Sequence, residues 1–277
     1  MSRNKLSVYR VRARNTSADS ENKIHDDTVA ARYGFRGGLV PGVTVYGYMT
    51  VPIVDRYGLN YLVRGSMQVR FHKPFYDGET VTVRAEADSS SEPVKITVTA
   101  EREDGTVCAM GEATAGDRSN RADHPRIEDY PRAVLPAPGE RPVASAENFE
   151  PGAILGTVSQ IIDQTDLLDR MEERLPVYFG EDAIAHPAVL LAMSNHALLS
   201  NYKLGPWIHA ASELMNFDVA RAKEVIEARS RIRECFERKG HQFVTLDVLL
   251  LAGDNRVIQK VLHTAIYEIK SGESKAV

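Results

Sequence analysis

The chain has 277 residues, 43% of them hydrophobic and 26% charged, a globular composition that excludes disorder over most of its length. Lys plus Arg number 34 against 38 for Asp plus Glu, and the formal charge of −4 argues against a protein built to grip phosphate backbones or anionic lipid. No run approaches the roughly 18–20 consecutive apolar residues of a membrane helix, and Met1 to Lys5 lead into alternating sequence, not an apolar leader core. Cys108 and Cys235 stand far apart and form no CxxC, so they read as two packed thiols in a reducing cytoplasm.

In chain order, residues 6–12 alternate apolar with polar and predict a short half-buried strand. A polar loop follows over 15–23. Asp26 or Asp27 then caps a short helix through Ala30, Ala31 and Arg32 that stops at Gly34. Beyond the break from Gly37 to Gly42, residues 43–57 are almost wholly apolar or aromatic, which predicts a buried helix kinked near Pro52. From Gly58 the pattern has period 2, with strands expected over 66–71, 80–87, 94–101 and 106–114. Asp77-Gly78, Ser89-Ser90-Ser91 and Asp104-Gly105 supply the turns between them.

Pro125, Pro131, Pro136, Pro138, Pro142 and Pro151 fall in one stretch and predict an extended surface linker over 117–151. It divides the chain into units 1–116 and 152–277, each large enough for a modest core. The second unit repeats the order of the first. A strand is expected over 153–161, a helical stretch over 165–175 and an apolar run over 188–199, opened by Ile184-Ala185-His186-Pro187. Strands over 207–217, 225–237, 243–252 and 257–267 complete it. Sliding the halves by ~145 residues sets Gly42 near Pro187 and Phe71 near Phe217. The prediction is an α+β chain of two antiparallel sheets, each wrapped on a long central helix, paired edge to edge as a pseudo-dimer.

The sequence has no GxxxxGK[ST], HExxH, GxSxG or GxGxxG after a strand, and its eight histidines show no compact metal-ligand spacing. Neither a metal nor another cofactor is expected. What remains is the loop Asp19-Ser20-Glu21-Asn22-Lys23-Ile24-His25-Asp26-Asp27, followed by Ala30, Phe35 and Leu39-Val40-Pro41-Gly42. This pattern resembles the hydratase motif of MaoC-like hot-dog enzymes, D-x-N-P-x-H-x-D and then [ILV]-[AV]-H-G at the start of the central helix. Val69 to Glu79 looks like the strand and turn after that helix, and Trp207-Ile208-His209, Phe236 to His241 and His263 to Tyr267 look like the matching half of a double hot-dog protein.

The resemblance implies a tandem double hot-dog fold and a lyase of lipid metabolism, an enoyl-thioester hydratase or dehydratase. Its partner would be an acyl-CoA or acyl carrier protein-bound substrate, with no nucleic acid and no membrane; a homodimer is allowed but not required, because the repeat already supplies the pairing. Carried over residue by residue, His25 matches the motif histidine, Asp27 the following acid and Gly42 the glycine whose N–H polarises the thioester carbonyl. The motif aspartate falls on Ser20, and Asp19, one residue earlier, is the expected partner of His25. Pro41 replaces the motif's second histidine. Catalysis is thus expected from Asp19, His25 and Gly42, with substrate contacts from Asn22, Tyr46 and His186. Arg70, His72 and Lys73 are candidates for a coenzyme A phosphate. The second unit lacks the loop motif and carries Pro187, which has no N–H to donate, so one site per chain is expected. A thioesterase and a non-catalytic acyl-binding subunit are the competing readings.

Overall fold

The structure, a computed structural model, describes residues 3–116 and 124–270. The first seven residues of the expected linker lie outside that range. The chain opens with β1 (Arg3–Lys5) and β2 (Tyr9–Arg12) and then α1 (Asp27–Arg32). Next come α2 (Gly42–Tyr57) and α3 (Leu59–Arg64). A meander follows of β3 (Ser66–Phe71), β4 (Thr80–Asp88), β5 (Val94–Glu101) and β6 (Val107–Ala115). The second set is β7 (Ile154–Ile161), α4 (Thr165–Arg170), α5 (Pro187–Asn201), β8 (Ile208–Asn216), β9 (Val225–Arg238), β10 (His241–Ala252) and β11 (Arg256–Glu268).

The long runs became the two central helices because most of their side chains are apolar and bury on all sides. Every residue of α2 from Val43 to Ile53 is buried, as is Val54. Gly47 is required there by approach and not by backbone angle: a Cβ on it would stand 2.9 Å from the His186 ring and 3.0 Å from Ala188 of α5. The two helices therefore meet at a glycine, and the buried sides of both halves merge into one core.

The two expected sheets join edge to edge, as the pairing predicts, into one continuous 11-stranded sheet in the order β1-β4-β5-β6-β3-β8-β11-β10-β9-β7, with β2 also on β4. The seam is the antiparallel pair β3–β8, with Ser66 opposite Met215 and Arg70 opposite Ala211. Pairing like strands at the seam satisfies the backbone groups that either half would otherwise leave at an open edge. Each half keeps the same internal order about this seam, which is a pseudo-twofold arrangement.

Three local expectations differ from the structure. Residues 59–64 form the short helix α3 between two glycines, too brief to show a period in sequence. The helix expected over 165–175 stops at Arg170: Glu172 takes a left-handed φ of 55° and the Glu173 N–H closes back on the Leu168 carbonyl at 3.0 Å, while the Glu173 carboxylate takes the backbone N–H groups of Arg174 and Leu175 at 2.7 and 2.8 Å. The proline-rich stretch is not purely superficial: Tyr130 and Phe149 are buried, and the Tyr130 hydroxyl donates to Asp247 on β10 at 2.8 Å. Asp247 also accepts from Arg231, so the strap is tied to an ion pair on the sheet.

Candidate active site

The loop before α2 is built by short-range hydrogen bonds. Asn22 starts a 3-10 turn, Lys23–His25, and accepts the Ile24 N–H at 3.3 Å. Asp26 caps α1 through the Val29 N–H at 2.9 Å. Asp27 holds the Gly38 N–H at 2.7 Å, and a Cβ on Gly38 would collide with the His25 carbonyl, so the return strand passes close over the histidine. The carboxylate that matches the motif's second acid therefore braces the loop.

Two contacts fix the state of His25. Its Nδ1 lies 2.7 Å from the Leu39 carbonyl, which can only accept, so Nδ1 carries the hydrogen. Its Nε2 faces the Asn22 amide nitrogen at 3.4 Å and presents a lone pair. The Asn22 orientation is unambiguous: its Oδ1 takes the Trp207 N–H at 3.1 Å while its Nδ2 donates to the Trp207 carbonyl at 2.9 Å. Asn22 thus clamps the loop of the first half to the start of β8 in the second. Burial lowers the His25 pKa, against the opposing pull of the Leu39 carbonyl, so the ring is a neutral base near pH 7.

His25 opens onto a cavity of about 230 Å³ at the start of α2. Asn22, His25, Pro41, Gly42 and Val45 line it from the first half, and Asn195, Trp207 and His209 from the second. Gly42 is the first residue of α2, and the N-cap Pro41 offers no side-chain acceptor; the Thr44 N–H turns back to the Pro41 carbonyl at 3.0 Å, so among the described residues the N–H groups of Gly42 and Val43 are left for a ligand oxygen. The corresponding end of α5 is different. Pro187 opens the helix, its N-cap His186 accepts the Ala188 N–H, and the space there is about 10 Å³.

The structure brings Asn22, His25 and Gly42 to one cavity and leaves three expected residues out of it. Asp19 is exposed, in a turn outside the lining, because the chain turns away at residues 16–19. Tyr46 lies one residue past the lining Val45, on another side of α2, and is fully buried beside Tyr61 and Tyr178. His186 is also fully buried, and its Nε2 meets Glu173 at 3.2 Å. Two lining residues had no site role in the sequence reading: Asn195, and His209, which it named only as part of the matching second half. A polar Ser-Asn-His triplet inside the apolar run of α5 was the available signal for the first. His72 and Lys73 also line the cavity, while Arg70 lies in an adjoining groove on the outer face of the sheet.

Gly42 is not among the glycines with positive φ, so its lack of a side chain has another cause. A Cβ there would lie 2.7 Å from His209 Nδ1 and 3.1 Å from its Cβ and Cγ. Gly42→Ala is accordingly expected to cost about 1–3 kcal/mol by overpacking, read as a lower denaturation midpoint with secondary structure retained.

No protein-family model matches the sequence, nor does any curated protein sequence. Among solved structures, the chain is similar to a MaoC-like dehydratase, with TM-score 0.62 and 12% identity over 94% of this chain and 98% of that one. It is also similar to a Mycobacterium tuberculosis protein with a double hotdog fold, at TM-score 0.64 and 14% identity over 95% and 96% of the two chains. A weaker likeness is to a Lactobacillus plantarum structure assigned as an oleoyl thioesterase, at TM-score 0.51 and 12% identity over 96% and 97%. At these identities the shared property is the fold. The chain is a double hot-dog protein.

Proposed function

We propose that the chain hydrates or dehydrates an acyl thioester, interconverting a trans-2-enoyl and a 3-hydroxyacyl group at a single centre. The observation that carries this reading is the neutral His25, its Nε2 unprotonated, on the wall of the cavity that Gly42 at the start of α2 also lines. Addition of water at Cβ puts negative charge on the thioester oxygen, and the Gly42 N–H at a helix N-terminus stabilises charge there. His25 Nε2 takes a proton from water as the C–O bond forms, and a proton returned to Cα completes the addition. With Asp19 outside the lining, His25 both takes and returns it. Asn22 positions the ring. The name of the MaoC-like dehydratase neighbour agrees with this chemistry.

The carrier is a pantetheine thioester of coenzyme A or of a carrier protein. Supporting this, the cavity shares Phe71, His72, His241 and Ile266 with an outer groove of about 670 Å³ that holds Arg70, Arg233, Arg238 and Lys239 against Glu213 and Glu234, a net basic surface suited to phosphate. The test is to incubate the chain with enoyl-CoAs of increasing length and follow product mass and free thiol together. Gain of one water without thiol release supports the proposal. Thiol release without hydration would favour the thioesterase reading, and tight binding without either would favour an acyl-binding subunit.

The same reading fixes a pH dependence. His25 must be unprotonated to act as base, and its pKa lies below the ordinary 6.5, so activity is full above that value and lost as pH falls through the lowered pKa. The acid limb of kcat/KM is expected to have its midpoint below pH 6.5. A midpoint above 6.5 would contradict the assignment of the base.

A further inference from the structure

Three residues of the cavity wall carry a buried polar atom with no hydrogen-bond partner among the described residues: Asn195 Oδ1, Trp207 Nε1 and His209 Nδ1. All three come from the second half. Leaving buried polar atoms unpaired costs about 1–3 kcal/mol each, so their grouping around one cavity marks the place where a ligand supplies partners. His209 is the most telling of them. Only 6% of it is exposed, and its ring stands against Gly42 so closely that the helix can begin only with a glycine.

His209 does not stand alone. Its Nε2 lies 2.8 Å from the Ser212 hydroxyl, which lies 3.1 Å from Nδ1 of His263 on β11. His263 is fully buried, and its own Nε2 is unpartnered. A register shift in the β8–β11 ladder, between Thr264 and Ala265, allows this chain. It makes His209 and Ser212, three residues apart, both buried, where strict alternation would put them on opposite faces. Ser212 then sits directly opposite His263 in the register.

The hydrogens in the chain can be counted. Burial pushes His263 down to about 3, and burial together with His263 holds His209 well below 6.5 against an opposing pull from the Ala211 backbone, so both rings are neutral. Each neutral ring has one N–H, and the serine has one O–H. If Ser212 donates to His209, then His263 Nδ1–H donates to Ser212 and His209 carries its hydrogen on Nδ1. In the reverse arrangement His209 Nδ1 is bare. Only the first offers a donor to an oxygen at the start of α2.

From this geometry we infer that His209 Nδ1–H donates to the thioester carbonyl oxygen beside the Gly42 N–H, and that Ser212 and His263 hold it in that tautomer. This inference rests on the hydratase reading of the cavity and deepens it. His209 is then a catalytic residue contributed across the seam, and Ser212 and His263 are positioning residues. The second half, without a loop motif of its own, completes the site of the first.

The test is nitrogen-15 spectroscopy of the histidine side chains in the full chain, alone and saturated with crotonyl-CoA, with His209 assigned by its loss in His209→Gln. In the complex, His209 is expected as the Nδ1–H form with a shifted Nδ1 resonance, and the His25 resonances are expected to move as well. His25 moving while His209 stays still, or stays bare at Nδ1, would overturn the inference and leave the hydratase reading intact. Neither ring moving would remove the thioester reading and the inference with it. In parallel, His209→Leu is expected to lower kcat about 10²-fold, the usual effect of losing one oxyanion donor. Ser212→Ala is expected to mix the two tautomers and lower kcat less than His209→Leu does. An unchanged kcat in His209→Leu with turnover present in the wild type would contradict the donor role.

Discussion

His25→Ala is expected to lower kcat for hydration of a short enoyl-CoA by about 10²-fold or more, with little change in KM. The ring lies on the cavity wall with its Nε2 unprotonated, whereas Asp26 and Asp27 are engaged in capping α1 and holding Gly38. The substitution removes the bond to the Leu39 carbonyl, a loss of about 1 kcal/mol. The loop nonetheless keeps the two Asn22–Trp207 bonds and the Asn15 bond to the His25 carbonyl. A near-wild-type circular dichroism spectrum with collapsed turnover is therefore the expected pair of readings. Turnover equal to wild type would remove His25 from the chemistry.

The second large effect is on stability and lies in the other half. Glu173→Ala is expected to destabilise the fold by about 3–5 kcal/mol, measured by urea unfolding. The carboxylate is 2% exposed and accepts from His186, Arg174 and Leu175. Burial alone would raise its pKa, but the hydrogen bonds from His186 and the backbone outweigh it and the net shift is downward. A carboxyl whose folded pKa is depressed contributes stability in full above its unfolded value, 4.5, and loses it as pH falls toward the folded value. The gap between wild type and Glu173→Ala is accordingly expected to narrow below pH 4.5. Because His186 caps α5 from within the same network, His186→Ala is expected to lower the unfolding midpoint while kcat of the folded fraction stays near wild type. If His186→Ala abolished turnover in a folded chain, the division of labour between the halves would be reversed.

The parts of this molecule that follow a simple period were legible in the sequence. Strands β3 and β5 have the expected bounds, and α2 begins one residue before its apolar run. His25 and Gly42, which the resemblance singled out, both line one cavity. What could not be read depends on orientation. A helix apolar all round, like α2, gives no face, so nothing in the run distinguished Val45, which lines the cavity, from Tyr46, which does not. The exposed position of Asp19 is set by a turn at residues 16–19, and turn geometry decides which of several loop carboxylates reaches inward. The His209–Ser212 pair was hidden by the register shift in the β8–β11 ladder, which period-2 reading cannot anticipate. His186 showed the opposite problem: its place at a helix start looked functional, but burial with Glu173 makes it a cap and a brace.

The central claim is that one thioester binds at the start of α2, with its carbonyl on the Gly42 N–H and its acyl Cβ beside His25. The most direct measurement is a crystal structure of the chain with a bound 3-hydroxyacyl-CoA. The account predicts the thioester oxygen within hydrogen-bond distance of the Gly42 nitrogen and the 3-hydroxyl within reach of His25 Nε2, with the start of α5 unoccupied. An acyl group seated at the start of α5, or a thioester oxygen remote from Gly42, would contradict it.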